Sequence, residues 1–332
     1  MRRNPALLSS AAIAIVAAAS LSGCTVDPAD SCSPFVARGE SASLVTASGP
    51  VGSLPKVDFP TLTVDAPQLA VLEEGDGPVA QKGMTVDFDA AVFDAASGRQ
   101  LITTNFDGSP GVRYRAGAIP TGAESAGALA DALVCAQPGQ RIALVSSSAD
   151  SGLDLSSLGI APDAEIVFIV DVQSVFLGKA DGINQLPLDG MPTVVTAPDG
   201  TVGITVPAAE APADTRISTI KAGSGEKVEE GDDVVLQIAS WIWPAEGEKP
   251  TKLQSTWAGV PLTAPMSVDP TGATGLTQGF YDAVIGASVG SQILAVVAPA
   301  DSYAPGAWPA GAQDGSTIIY VIDVVGIQNQ AE

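Results

Sequence analysis

Histidine is absent from all 332 residues of this chain. That removes the side chain that most often serves as a base near neutral pH. His-based zinc sites, Ser-His-Asp triads and Cys-His nucleophiles go with it. Basic residues are also scarce, 15 against 37 acidic ones, for a net charge of −22. Nucleic acid needs a basic footprint that such a surface lacks, so no nucleic-acid partner is expected. The sequence holds no phosphate-cradling Gly-Lys-Ser/Thr loop and no dinucleotide fingerprint. Neither a cofactor nor a metal is expected. Beyond the N-terminus, no run approaches the roughly 20 apolar residues that a membrane-crossing helix needs.

What the chain does have begins at residue 2. Arg2 and Arg3 precede an apolar run, Ala11 to Leu21, that ends in small residues. This is the pattern of a secretory signal peptide. Its end, Leu21-Ser22-Gly23-Cys24, resembles the lipobox of bacterial lipoproteins, which implies cleavage after residue 23 and acylation of Cys24. An ordinary cleaved signal beside a chance cysteine is the alternative. The lipobox resemblance implies a mature chain outside the cytoplasm, anchored to the cell membrane by that cysteine. Cys32 and Cys135 then remain as an even pair in an oxidising compartment. Either they form a disulfide that ties the N-terminal extension to the first domain, or they are two buried thiols.

The rest of the chain repeats. Leu72-Glu73-Glu74-Gly75-Asp76-Gly77, Gly83 and Thr85-Val86-Asp87-Phe88 return as Ile220-Lys221-Ala222-Gly223-Ser224-Gly225, Gly231 and Asp233-Val234-Val235-Leu236. Leu133-Val134-Cys135-Ala136-Gln137-Pro138-Gly139-Gln140 returns as Val284-Ile285-Gly286-Ala287-Ser288-Val289-Gly290-Ser291. Two anchors in one order, each displaced by about 150 residues, indicate a duplication.

Each copy shows the same order of signals. Val86, Phe88, Ala90 and Val92 alternate as in a half-buried strand. Leu129, Ala132, Leu133 and Ala136, like Leu276, Phe280, Ala283 and Val284, share one helical face. Gly139 and Gly290 are expected to stop these helices. Strands are expected over Arg141–Val145 and Ile293–Ala298, and long β-rich runs close the copies at Glu165–Phe176 and Thr317–Ile327. The expected fold class is α+β, two tandem domains each with a curled antiparallel sheet on one short helix. The boundaries read as signal 1–23, lipidated extension 24–65, first domain 66–183, linker with short strands 184–214 and second domain 215–332. Each domain is expected to begin with a hairpin that pairs with its sheet.

Four segments of the second copy carry a family resemblance. They are Gly223-x-Gly225 with Gly231-Asp232-x-Val234-Val235, Gln278 to Gly290, Ala295 to Tyr303, and Thr317 to Val324. Together they resemble an FKBP-type peptidyl-prolyl cis-trans isomerase over about residues 220–327. The resemblance implies an apolar aromatic cup for a proline ring, so the expected partners are proline-containing segments of exported proteins. It also assigns roles. Phe280 stands where the family has its floor tryptophan, with Leu276 and Tyr320 beside it. Tyr303 stands where a tyrosine hydroxyl holds a substrate carbonyl. Gln254 replaces an acid, Leu253 an aromatic wall and Ile238 a tyrosine. All four tryptophans lie in the second copy, and Trp257 and Trp308, in Pro- and Gly-rich segments, are expected to flank the pocket. In the first copy Ile102 takes the acid's place, Leu129 the floor's, and no tyrosine stands near Ser148 to Asp154. That copy is expected to be a spacer or binding domain. The expected activity is X-Pro isomerisation by a monomer, with non-catalytic peptide binding as the alternative.

Overall fold

The computed structural model describes residues 32–118 and 127–328. The signal segment 1–23 and Cys24 lie outside the described residues. Most of what is described is β-sheet. The first copy contributes β3 (Gln68–Glu73), β4 (Thr85–Asp94), β5 (Gln100–Thr103), β6 (Val112–Arg115), β7 (Arg141–Ser147) and β8 (Glu165–Phe176). The second contributes β12 (Arg216–Ala222), β13 (Asp233–Ile242), β14 (Thr251–Ser255), β15 (Leu262–Pro265), β16 (Gln292–Val297) and β17 (Ile318–Gln328). Strand order is β3-β7-β8-β4-β5 in one sheet and β12-β16-β17-β13-β14 in the other, with β6 and β15 completing the outer edges on β4 and β13. The short β9 (Ile183–Asn184) extends the second sheet beyond β12. Every pairing between these strands is antiparallel.

The duplication extends to single hydrogen bonds. Cys135 N–H donates to Ala80 O at 2.8 Å, and Gly286 N–H donates to Val228 O at 2.9 Å. Thr104 Oγ1 accepts from Ala90 N and donates to Asp89, while Thr256 Oγ1 accepts from Ile238 N and donates to Gln237. The helices are short, Ala128–Ala132 and Gln278–Val284. They end before Gly139 and Gly290, contrary to the reading of the glycine pattern. The first left-handed residues after them are Cys135, φ 75°, and Gly286, φ 74°, and Gly139 and Gly290 make a second such turn four residues on. In the first copy a cysteine therefore takes a backbone conformation that glycine adopts without strain.

Both sheets are covered on both faces, which corrects the expectation of a half-buried strand. On one face of β4, Val86, Phe88, Ala90 and Val92 pack with Leu129 and Leu133 of the helix. On the other, Ala91 and Phe93 meet Val45, Leu62 and Val57 of the N-terminal extension. Asp87 and Asp89, the polar members of the alternation, are each 1% exposed. They tolerate burial because Arg113 and the Thr104–Gln173 pair satisfy them.

The extra covers are hairpins, but they do not pair with the sheets as expected. β1 (Thr46–Ser48) with β2 (Lys56–Asp58), and β10 (Thr193–Thr196) with β11 (Val202–Thr205), form separate two-stranded sheets. They contribute side chains instead of ladder bonds: Val194 and Ile204 lie against Leu294, Val296 and Val321 on the back of the second sheet. The segment read as a linker is thus folded onto the second copy.

Cys32 and Cys135 are disulfide-bonded, 103 residues apart. Closing a loop of that length restricts the unfolded chain, so replacing both cysteines with serine is expected to cost about 2–4 kcal/mol. Urea unfolding of the double variant against the oxidised parent measures it. A difference below about 1 kcal/mol would mean that the extension is held by the Val45–Leu62 packing alone.

The copies also meet directly. Arg113 on β6 binds Asp87 in its own copy and donates to Thr263 Oγ1 at 2.8 Å and Pro261 O at 3.2 Å in the other. Its guanidinium lies 5.3 Å from the centre of the Phe176 ring. Phe176 packs with Val235 and Val325. Its ring leaves no room at Gly326, where an added Cβ would come within 2.2 Å of Phe176 Cδ1.

Candidate functional site

The helix-bearing face of the second sheet holds a hollow of about 360 Å³. Its floor comes from the helix, whose inward face buries Phe280 at 6% exposure. Tyr320, from the central strand β17, meets that ring edge-on, 5.0 Å between centres and 84° between planes. Ile238 from β13, Leu262 from β15 and Leu276 before the helix complete an apolar lining. Gln254 and Tyr303 add the polar side chains expected from the sequence.

Tyr303 follows a single 3-10 turn, Pro299–Asp301. Trp308 backs its ring at 5.8 Å. Gly272 approaches from the opposite loop, with a φ of 68° and only 2.7 Å between an added Cβ and Tyr303 Cε1. Only glycine fits there. That loop is pinned by Asp269, whose Oδ1 accepts from Thr271 N at 2.8 Å and whose Oδ2 accepts from Thr274 N at 2.9 Å. The Thr271 and Thr274 hydroxyls donate as well, and these donors hold the Asp269 carboxyl far below the usual carboxylate range. Ala304 N–H closes the two loops together on Pro270 O at 2.8 Å.

Burial, and then the Tyr303 hydroxyl beside it, push the Tyr320 hydroxyl well above the usual phenol range. Tyr320 therefore keeps its proton. Tyr303 stands beside it in the same hollow.

Six of the residues singled out in the sequence share this hollow: Ile238, Gln254, Leu276, Phe280, Tyr303 and Tyr320. Three do not line it. Leu253 packs against the same core from β14, and Trp308 supports Tyr303 from behind. Trp257 lies on the other face of the sheet with Trp241 and Trp243, 7% exposed. It cannot flank the hollow, because the β10–β11 hairpin folds over it: an added Cβ on Gly200 would come within 2.3 Å of its ring. Sequence reasoning missed Leu262, Gly272 and Thr277. Thr277, 3% exposed, lines the hollow with an Oγ1 that has no hydrogen-bond partner among the described residues. Its place immediately before a helix is the signal that could have found it.

In the first copy, Leu129 is buried in the core while Ile102 is 40% exposed. The chain leading into that copy's helix falls at residues 119–126, outside the described residues. Among the described residues no cluster of His, Cys, Asp and Glu is arranged to hold a metal, and no helix is long and apolar enough to cross a membrane.

The site is thus a hollow on the helix-bearing face of an antiparallel sheet, floored by a helical aromatic and lined by both apolar and polar side chains. No protein-family model matches the chain and no curated protein matches it. Among solved structures, the chain is similar to the three FKBP domains of wheat FKBP73, at 16% identity and a TM-score of 0.32 over 79% of this chain and 95% of that one. It is similar to FkpA from Escherichia coli at 18% identity and a TM-score of 0.29, covering 43% of this chain and 54% of FkpA, about half its length. AtFKBP13 matches at 14% identity and a TM-score of 0.28, over 41% of this chain and 99% of that one. These structural neighbours are FKBP-family proteins.

Proposed function

We propose that the second copy binds proline-containing segments of exported proteins and accelerates rotation about their X-Pro bonds, from a site held outside the cytoplasm by acylated Cys24. The observation that carries this reading is the Phe280–Tyr320 floor with Tyr303 at its edge. Rotation about an X-Pro bond is slow because amide resonance must be broken, with an activation energy near ~20 kcal/mol. It needs no nucleophile, so a chain without histidine is not disqualified. A proline ring on Phe280 leaves its amide out of water. Tyr303 then donates to a neighbouring carbonyl and holds the twisted form more tightly than either planar one.

The variant Tyr303→Phe keeps the ring and removes that donor. It is expected to lose about tenfold in kcat/KM, the equivalent of about 1.4 kcal/mol. The assay is isomerisation of a proline peptide by the full chain. No acceleration over buffer by folded protein would rule out catalysis. One observation favours the binding-only alternative: Gln254, where the resemblance expects an acid, brings no negative charge to the rim. Peptide-induced quenching of tryptophan fluorescence without rate enhancement would establish that alternative.

A further inference from the structure

One wall of the Phe280 hollow is a strand of four residues at the border of its sheet. β15 pairs with β13, and among the described residues no strand lies along its outer side. Alternation sends Leu262 and Ala264 to the helix-bearing face, where both pack with the Phe280 core and line the hollow. Thr263, between them, turns to the opposite face. A short border strand with a single ladder belongs to the easily displaced parts of a fold.

The first copy meets that strand from behind. β6 is its counterpart there: Arg113 and Thr263, 150 residues apart, stand opposite Asp87 and Val235 in their own sheets. Arg113 Nη1 donates to Thr263 Oγ1 at 2.8 Å and to Pro261 O at 3.2 Å, one residue to each side of Leu262. The arginine is itself immobilised. Its Nε and Nη2 sit on the two oxygens of Asp87, at 2.6 and 2.7 Å, and its side chain is 14% exposed. Gln328, at the end of β17, joins the set. Its Oε1 accepts from Thr263 Oγ1 at 3.1 Å and from Arg113 Nη2 at 3.2 Å, while its Nε2 donates to Asp87 Oδ2 at 3.1 Å. Five hydrogen bonds, two within the first copy and three into the second, use the whole guanidinium fork. Phe176 of the first copy fills the space beside them, against Val235, the β13 partner of Thr263.

We propose that Arg113 is a positioning residue for the hollow: through it the first copy holds β15, and with β15 the apolar wall made by Leu262. The proposal rests on the X-Pro reading of the hollow and gives the first copy a task beyond that of a spacer. An apolar wall meets substrate and transition state alike. Displacing it weakens the hold on peptide and leaves the rotation step itself unchanged.

The test compares Arg113→Lys and Thr263→Val with the parent full chain, in proline-peptide isomerisation and in peptide titration followed at the Leu262 methyl resonances. Lysine keeps a charge for Asp87 but lacks the planar fork. Thr263 is exposed and valine keeps its branched shape, so the second variant should fold even where the first is destabilised. In both, KM and peptide Kd should rise by about fivefold with kcat kept, and the Leu262 methyl signals should shift. A merely structural loss lowers the folded fraction, and so the apparent kcat, while KM stays at the parent's value. Adding Arg113→Lys to Leu262→Ala should cost less than about twofold more, because the wall through which the arginine acts is gone. Unmoved Leu262 signals with unchanged KM and Kd, or full additivity with Leu262→Ala, overturns the proposal. Where the parent binds peptide without turnover, the Kd comparison decides in the same way. A parent that neither binds nor turns over proline peptides overturns the X-Pro reading and the positioning role together. An active parent beside variants equal to it overturns the positioning role alone.

Discussion

Arg141→Met should destabilise the protein by about 3–5 kcal/mol, the cost of leaving one charge of a buried pair behind. Arg141 and Asp171 are both 0% exposed. The guanidinium also donates to Gly49 O at 2.8 Å and Pro50 O at 3.0 Å, while Asp171 accepts from Gly52 N–H at 2.7 Å. The pair thus fastens the turn between β1 and β2 to the back of the first sheet. Methionine fills similar space but strands the Asp171 carboxylate with a single backbone donor. Urea unfolding should show a lower midpoint at an unchanged slope. Adding Asp171→Leu should restore most of the loss, since an apolar pair avoids the desolvation cost. A single-variant effect below about 1 kcal/mol would mean that water reaches the site.

Phe280→Ala should act twice. Removing a buried phenylalanine costs about 3–5 kcal/mol, and Tyr320 loses the ring it meets edge-on. The hollow also loses its floor, so X-Pro isomerisation should fall to the buffer rate even where the variant is still folded. Phe280→Trp separates the two effects. It keeps a flat apolar surface, with an overpacking cost of about 1–3 kcal/mol, and should retain activity. If Phe280→Ala turns over proline peptides like its parent, the hollow is not the site.

Much of the fold could be read from the sequence because its signals are local. The glycines of the repeat sit where the backbone turns in the same way twice, and the runs Glu165–Phe176 and Ile318–Gln328 are central strands, apolar on both faces. The hairpin covers were misjudged because Val194 and Ile204 alternate equally well for ladder pairing or for packing on a sheet's back. Only the tertiary route separates the two. The same route decided Trp257: its Gly- and Pro-rich surroundings describe a loop, but not which side of the sheet the loop crosses. Within the site, Phe280, Tyr303 and Tyr320 were legible through the family resemblance of the segments that carry them. Gly272 and Leu262 were not, because they reach the hollow from loops and edges whose length and path the sequence does not fix.

One outer edge of each sheet is occupied by the chain's own preceding segment. Residues 37–39 run beside β3 through Leu69, and β9 pairs with β12. The opposite edges carry only the short strands β5, β6, β14 and β15. Unpaired strand borders are where neighbouring molecules add on to one another. Copies brought side by side would therefore find little open ladder to extend.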